Sequence, residues 1–283
     1  MSGSAPLLEV EDLRVDYRGR TGPVPALRGV SFTLGQERLG LVGESGSGKS
    51  TIGRAILGLL PPTATVTARR LALRGLDLLH ADERTLRRIR GRRVSMVLQD
   101  PKFSLNPVMT VGRQIAESYR VHTRASAREA RRKTLEMLEA VRIRDPERVY
   151  GLYPHEVSGG MGQRVMIAMM LIPEPELLIA DEPTSALDVT VQAQLLALMD
   201  ELIRRRGMGL ILISHNLNLV AGFCDRVVVL YAGRVMETLE AGALGAARHP
   251  YTRGLLACRP LLHRAQDELP QLTRDPAWLT AAE

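Results

Sequence analysis

The sequence predicts an α/β protein with a largely parallel sheet, and three observations support this class. Several short segments are almost continuously apolar, as strands covered on both faces tend to be. Segments with helical spacing alternate with them along the chain. A glycine-rich loop directly follows one apolar segment and precedes a helix candidate.

Each element is predicted from its own pattern. Residues 190–205 form a helix candidate because apolar side chains recur there at helical spacing. Residues 7–17 alternate like a half-buried strand. The further strand candidates are 30–34, 38–43, 92–98, 176–181, 209–214 and 226–233.

The stretch 100–171 breaks this alternation, because 126–141 resembles a surface helix and no strand candidate appears before 176. We therefore expect a helical subdomain inserted into the α/β core. The predicted domains are a core of 1–99 and 172–240, a helical subdomain of 100–171 and a C-terminal tail of 241–283. The tail contains four prolines and is expected to be helical and at the surface.

Composition narrows the class of protein. The chain has 283 residues, of which 45% are hydrophobic and 24% charged, as in soluble globular proteins. No window approaches 18 consecutive apolar residues, and the N-terminus lacks the pattern of an export signal. The two cysteines, Cys224 and Cys258, predict neither a disulfide framework nor a metal site. A cytoplasmic protein is expected.

The net charge of +7 raises the question of nucleic-acid binding. The densest basic runs, 84–93 and 128–133, contain almost no aromatic residues on which bases could stack. We therefore expect no nucleic-acid partner. A surface held close to anionic lipid would also tolerate this charge.

Residues 43–50, "GESGSGKS", fit the phosphate-loop pattern G-x-x-x-x-G-K-[ST]. The glycines let successive N–H groups point at phosphate oxygens, and the start of the next helix adds positive partial charge. Lys49 would reach the β- and γ-phosphates, and the Ser50 hydroxyl would ligate Mg²⁺. The alternative is a glycine-rich turn without a ligand. The predicted nucleotide-binding residues are Gly43, Glu44, Ser45, Gly46, Ser47, Gly48, Lys49, Ser50 and Thr51.

Polar residues at three other strand ends are candidates for catalysis. Asp181 would hold Mg²⁺, and Glu182 would orient and deprotonate an attacking water, although such a pair often only caps a turn. Gln99 could bring a carbonyl to Mg²⁺ and move with it. The His215 imidazole could donate to the γ-phosphate, although a lone histidine is more often structural.

The stretch 157–164, "VSGGMGQR", places Ser158 before a helix candidate and two glycines in its first turn. Serine is an ordinary N-cap, but each glycine costs a helix roughly 1 kcal/mol relative to alanine. Bare backbone amides at a helix start suit an anion. The alternative is a flexible helix start.

With these residues identified, the chain resembles the ATP-binding subunits of ABC transporters over about residues 7–260. The resemblance implies a P-loop NTPase (RecA-like) core with N-terminal antiparallel strands and an inserted helical subdomain. It also implies ATP as ligand and Tyr17 as the residue that stacks on adenine; a partly buried strand aromatic is the alternative for Tyr17. Two such subunits would pair head to tail. The signature residues that would then close on the partner's γ-phosphate are Ser158, Gly159, Gly160 and Met161, and the residues at the dimer contact are Ser185, Ala186, Leu187 and Asp188.

Two positions depart from the family pattern. Gly162 stands where the family usually has a basic residue, and Val157 stands where leucine is usual. Neither change removes the amides or Ser158, so an active half-site is expected, although one of two composite sites could be weaker.

Finer similarity points to the importer branch for dipeptides, oligopeptides and nickel. It rests on "FSLNP" after Gln99, on "YPHEVSGGMGQRVMIAMML", on "PTSALDVTVQAQ" and on "HPYTRGLLA" at 249–257. The cysteine-rich extension of many peptide-type relatives is absent, which leaves short peptides, nickel and a metal–chelator complex as alternatives.

The resemblance implies a full transport system. The expected partners are a second, related but different ATP-binding subunit, two transmembrane permease subunits and an extracytoplasmic solute-binding protein, with this chain at the cytoplasmic face of the membrane. The alternative is a soluble ABC-type ATPase of DNA repair or translation. Those proteins generally carry long coiled coils or tandem ATP-binding units, and this chain has one set of motifs and no long heptad run.

Overall fold

The computed structural model describes residues 5–98, 104–185, 187–258 and 275–280. The chain divides into two compact units. The first unit comprises Met1–Ala81 with Ile211–Glu283, and the second unit comprises Asp82–Leu210. The domain boundaries expected from the sequence stay a prediction.

The strands of the described residues follow in chain order. They are β1 Leu8–Arg18, β2 Pro23–Leu34, β3 Arg38–Val42, β4 Ala64–Thr67, β5 Arg70–Leu73, β6 Leu76–Asp77, β7 Val94–Val97, β8 Leu177–Asp181, β9 Gly209–Ser214, β10 Arg226–Tyr231 and β11 Arg234–Glu240.

None of the helices described is both long and apolar enough to cross a membrane. They are α1 Lys49–Ile56, α2 Glu83–Ile89, α3 Val111–Thr123, α4 Ala127–Ala140, α5 Pro146–Gly151, α6 Gly159–Leu171, α7 Val189–Arg206, α8 Leu217–Phe223, α9 Pro250–Ala257 and α10 Ala277–Thr280.

The N-terminal strands of the first unit form an antiparallel sheet, as the resemblance implies. β1 pairs with β2 along its length and with β4 and β5 on its other side. The register shifts between Val10 and Leu13, where Asp12 adopts a φ of 49°. Because this bulge adds a residue, the buried positions change from Leu8 and Val10 to Leu13 and Val15.

The first unit also contains the strands β11, β10, β3 and β9, which are neighbours in a sheet in that order. Residues 211–214 of β9 belong to this unit. β3 and β10 run parallel, and β10 and β11 form an antiparallel hairpin. Residues 39–42 of β3 and 227–230 of β10 are fully buried, which explains their continuously apolar sequences.

The second unit combines two parallel strands with helices. β7 pairs with β8, so that Val94 lies opposite Leu177 and Val97 opposite Ala180. Helix α3 packs against α4, α5 and α6. Between 104 and 176 the described residues contain no strand, in agreement with the predicted helical insertion.

The C-terminal segment is helical at α9, as expected, but it is not confined to the surface. Tyr251 and Thr252 in the first turn of α9 are fully buried. The prediction of a surface segment is therefore wrong at these residues. The Tyr251 ring packs on Tyr231 and Trp278, which belong to the same unit.

Candidate functional site

The predicted phosphate loop connects β3 to α1 within the first unit. β3 ends at Val42, and the chain then turns through three glycines with positive φ: 150° at Gly43, 80° at Gly46 and 99° at Gly48. L side chains rarely adopt these conformations, so the turn requires glycine. Helix α1 begins at Lys49, immediately after the turn.

Two of these glycines also permit close packing. A Cβ at Gly43 would lie 2.1 Å from the Leu230 carbonyl oxygen of β10. A Cβ at Gly48 would lie 2.6 Å from the Leu27 Cδ2 atom and 2.9 Å from the Ala26 oxygen of β2. Two neighbouring strands therefore fix the loop at its two ends.

Gly233, in the turn between β10 and β11, supports the loop from outside. Its N–H donates to the Ser47 oxygen at 3.1 Å, and its own oxygen accepts the Arg28 N–H at 2.8 Å. A Cβ at Gly233 would lie 2.4 Å from the Ala26 oxygen. The sequence analysis did not select this residue, and its only signal was a glycine at the end of the strand candidate 226–233.

Lys49 lies inside the loop and is 7% exposed. Its Nζ donates to the Gly43 and Glu44 oxygens, both at 2.8 Å, and lies 3.4 Å from the Ser47 Oγ. A buried ammonium needs such partners, since burial without them is costly. The charge is thereby placed within the turn that would surround phosphate.

The start of α1 also fits an anion. Its N-cap is Gly48, which supplies no side-chain hydrogen bond, and its first turn contains no acidic residue. The first N–H groups of a helix have no intrahelical partners and carry positive partial charge. With Lys49, this end of the helix fits the phosphates of a nucleotide.

An end position and a middle position of the loop should respond differently to an added methyl group. Gly43→Ala should lower the free energy of unfolding by about 2–4 kcal/mol, because it combines a disfavoured φ with a collision against the Leu230 oxygen. Gly46→Ala should cost about 1–2 kcal/mol, because nothing lies within 4 Å of its Cβ. Urea denaturation of both variants measures the difference, and equal losses would contradict it.

Two further predicted residues lie in the first unit. His215 is exposed and directly follows β9. Tyr17 is half-buried near the end of β1, opposite Val24 of β2 and Ala64 of β4. Their proposed contacts with phosphate and adenine stay predictions.

The predicted carboxylates end β8 in the second unit. Asp181 is 7% exposed and is the last residue of the strand. Glu182 follows with a φ of 50°, a left-handed conformation that costs a non-glycine residue about 1–3 kcal/mol. The Ser185 N–H and hydroxyl donate to the Glu182 oxygen at 3.3 and 3.2 Å and hold this turn.

The signature residues begin helix α6 in the same unit. Ser158 is the N-cap, and its Oγ accepts the Met161 N–H at 3.4 Å. The first backbone bond of the helix runs from the Gly162 N–H to the Ser158 oxygen at 2.8 Å. Ser158 and Gly159 are exposed, and nothing lies within 4 Å of a Cβ built at Gly159. Bare amides are thus open to an external ligand.

Gln163 joins the signature helix to the carboxylate turn. It is 2% exposed, and its Nε2 donates to the Pro183 oxygen, one residue after Glu182. The sequence analysis did not select Gln163. Its signal was a polar side chain at the start of an otherwise apolar helical stretch.

The predicted dimer residues follow the same turn. Asp188 caps α7, and its Oδ1 accepts the N–H groups of Thr190 and Val191, both at 3.0 Å. Ser185 is exposed and Leu187 is half-buried. Ala186 and Gln99 lie outside the described residues, so their predicted roles are not placed.

Burial raises the pKa of the Cys224 thiol to about 12, so it stays protonated. Among the residues that the structure describes, no three His, Cys, Asp or Glu side chains form a group that could hold a metal ion. Of the predicted Mg²⁺ ligands, Ser50 lies in the first unit and Asp181 in the second, and their role stays a prediction.

A buried strand, a glycine loop that encloses a lysine and an uncapped helix start define a P-loop nucleotide-binding domain. Residues 27–185 match the ABC transporter family. The chain belongs to this family and is an ATPase. The predicted family and fold class, with its antiparallel N-terminal strands and helical insertion, are confirmed.

Individual relatives are similar over most of the chain. The chain is 50% identical to a probable peptide ABC transporter ATP-binding protein of Sinorhizobium fredii, with 94% of this chain and 81% of that protein covered. It is 45% identical to the oligopeptide transport ATP-binding protein OppD of Bacillus subtilis, with 97% and 78% covered.

A solved structure agrees in fold. The dimeric structure of MJ0796, a bacterial ABC transporter cassette, matches with a TM-score of 0.74 and 27% identity. The match covers 83% of this chain and 98% of that one.

Proposed function

We propose that this chain is the ATP-hydrolysing subunit that energises the import of dipeptides or oligopeptides through an ABC transporter. The two curated relatives described above are named for peptide or oligopeptide transport, which favours peptides over nickel or a metal–chelator complex. The same names do not favour a role in DNA repair or translation.

One observation carries the proposal. The exposed start of α6 presents Ser158 and Gly159 with amides open to an external anion. These amides would bind the γ-phosphate of an ATP molecule held by a second subunit. The dimeric structure of MJ0796 shows that a cassette with this fold pairs with a second copy.

In the proposed mechanism, the phosphate loop binds ATP. Lys49 would keep its bond to the Gly43 oxygen and turn its other N–H groups from the Glu44 oxygen to β- and γ-phosphate oxygens, and the N–H groups at the start of α1 would bind the same phosphates. Tyr17 would stack on adenine. When bound, Mg²⁺, held by Ser50, Asp181 and Gln99, would neutralise phosphate charge.

The hydrolytic step would use the carboxylate beside the strand end. Glu182 would accept a proton from the attacking water, and the His215 N–H would stabilise charge on the γ-phosphate. Ser158, Gly159, Gly160 and Met161 would act on the ATP of the partner subunit. After hydrolysis the two subunits would separate and the transporter would reset.

The proposed assembly is peripheral to the membrane, at its cytoplasmic face. It would contain a second, related but different ATP-binding subunit, two permease subunits and an extracytoplasmic solute-binding protein, with no nucleic acid. Gln99 would begin the segment that transmits movement to the permeases, and Ser185 to Asp188 would lie at the contact between the ATP-binding subunits.

Affinity purification of the tagged chain from detergent-solubilised membranes of its own host tests this assembly. Two polytopic permeases and a related ATP-binding chain should co-purify. Co-purification of nucleic acid without permeases would contradict the proposal.

Uptake assays of the same host separate the solutes. Deletion of the gene should abolish uptake of a labelled tripeptide and leave uptake of radioactive nickel unchanged. Loss of nickel uptake with normal peptide uptake would show that the solute is assigned wrongly.

A further inference from the structure

The segment "HPYTRGLLA", 249–257, has no role in the proposed mechanism, yet the structure fixes its start firmly. The Glu237 carboxylate of β11 accepts the Arg248 N–H at 2.8 Å and the His249 N–H at 3.3 Å. The His249 Nδ1 atom accepts the Tyr251 N–H at 3.1 Å. Partial burial raises the pKa of Glu237, but hydrogen bonds from the Arg248 and His249 N–H groups lower it overall, so the carboxylate is charged at neutral pH.

These bonds place Tyr251 in an aromatic cluster, which we define as Tyr231, His249, Tyr251 and Trp278. The centroid of the Tyr251 ring lies 4.7 Å from that of Tyr231 and 5.6 Å from that of Trp278. Trp278 also contacts Tyr231 at 5.7 Å and His249 at 5.9 Å. Tyr251 is 0% exposed, so its ring is held by packing on several sides.

The Tyr251 hydroxyl reaches the phosphate loop. It accepts a hydrogen bond from the Glu44 N–H at 3.2 Å. The Gly43 carbonyl belongs to the same peptide unit as this N–H, and its oxygen accepts the Lys49 Nζ at 2.8 Å. One planar peptide is therefore held by Tyr251 on its N–H and by Lys49 on its oxygen.

A rotation of this peptide would move both groups together. If the Tyr251 hydroxyl is lost, the Glu44 N–H loses its buried acceptor, and the peptide can turn toward another partner. The Gly43 oxygen would then move relative to the Lys49 ammonium, which is the charge that would meet the phosphates. The C-terminal segment thus acts on the loop through the Tyr251 hydroxyl.

We propose that Tyr251 is a positioning residue for the phosphate loop, through which the C-terminal aromatic cluster sets the affinity for ATP. This inference rests on the proposed binding of ATP at the loop. Tyr251 does not touch the nucleotide; it orients the peptide between Gly43 and Glu44, and thereby Lys49.

Tyr251→Phe in the full-length chain tests the inference, because it removes the hydroxyl and keeps the ring. The dissociation constant for ATP should rise about three- to tenfold, as expected for the loss of one buried hydrogen bond, and the KM should rise while kcat stays close to that of the wild type. The matched control is Tyr231→Phe. It removes a hydroxyl from the same cluster, and the described residues give that hydroxyl no hydrogen bond to the loop.

The outcomes separate this inference from the proposed function. If the wild-type chain fails to bind ATP, the proposed function fails. If the wild type binds ATP and Tyr251→Phe binds it as tightly as Tyr231→Phe does, the positioning role is wrong and the proposed function stands.

A second measurement applies if Tyr251→Phe does not fold. Trp278 is the single tryptophan of the chain, and its indole contacts the Tyr251 ring. Saturating ATP should therefore change the intrinsic fluorescence of the wild-type protein, and Trp278→Phe should remove the signal. Unchanged Trp278 emission at saturating ATP would then overturn the inference.

Discussion

Replacement of Glu182 by glutamine is expected to reduce ATP turnover by about a hundred- to ten-thousandfold while ATP still binds. The amide has nearly the same shape as the carboxylate but cannot accept a proton from the attacking water. The turn that carries Glu182 should persist, because the Ser185 N–H and hydroxyl hold it through the Glu182 backbone oxygen, which the substitution keeps. Phosphate release, measured with the partner ATP-binding subunit present, checks the loss.

The variant should also accumulate as an ATP-bound pair of subunits, because hydrolysis would be the step that separates them. Size-exclusion chromatography with and without ATP would show the shift in mass. Glu139→Gln, at an exposed position on α4, is the matched control and should turn over ATP normally. Undiminished phosphate release by Glu182→Gln would exclude this residue as the base.

Replacement of Lys49 by alanine should weaken ATP binding by about a hundredfold or more. Hydrogen bonds to a charged group contribute about 1.5–3 kcal/mol each, and Lys49 would make at least two to the β- and γ-phosphates. The substitution also leaves the Gly43 and Glu44 oxygens without their ammonium partner. Equilibrium binding of a fluorescent ATP analogue would measure the effect.

Lys133→Ala is the control for charge. Lys133 lies on α4 and pairs with Glu136 at 3.1 Å, so its removal should leave the affinity for ATP unchanged. A thermal melt of both variants without nucleotide would show whether they fold. Tight ATP binding by a folded Lys49→Ala variant would mean that the phosphate loop is assigned wrongly.

Local patterns predicted much of the fold. Strand β9 matches its predicted bounds because every residue from 209 to 214 is apolar or small and buried. Helix α7 was predicted within one residue at each end, since its buried leucines recur at helical spacing. The phosphate loop was found because its conformation depends on glycines that are neighbours in sequence.

Other elements could not be read from local patterns. Strands β4 to β6 have two to four residues each, and β11 mixes charged and apolar side chains. The bulge at Asp12 changed the alternation within β1. Such features are decided by pairing with distant strands.

The sequence analysis also missed two residues that support the site, because their partners are distant in sequence. Tyr251 lies 207 residues from Glu44, and Gln163 lies 20 residues from Pro183. The residues around a tyrosine in a C-terminal helix, or around a glutamine in an apolar helix, do not indicate which distant group it binds. Only the folded chain brings these groups within hydrogen-bond distance.

The bond between Gln163 and Pro183 has a consequence for how two nucleotides would be used. Under the proposed mechanism, the helix of Gln163 serves the ATP of the mate, while the turn of Pro183 serves the chain's own ATP. A shift at either end is passed directly to the other, so the two reactions would not be independent. Turnover should consequently rise more steeply than hyperbolically with ATP concentration, as positive coupling between two ATP sites produces.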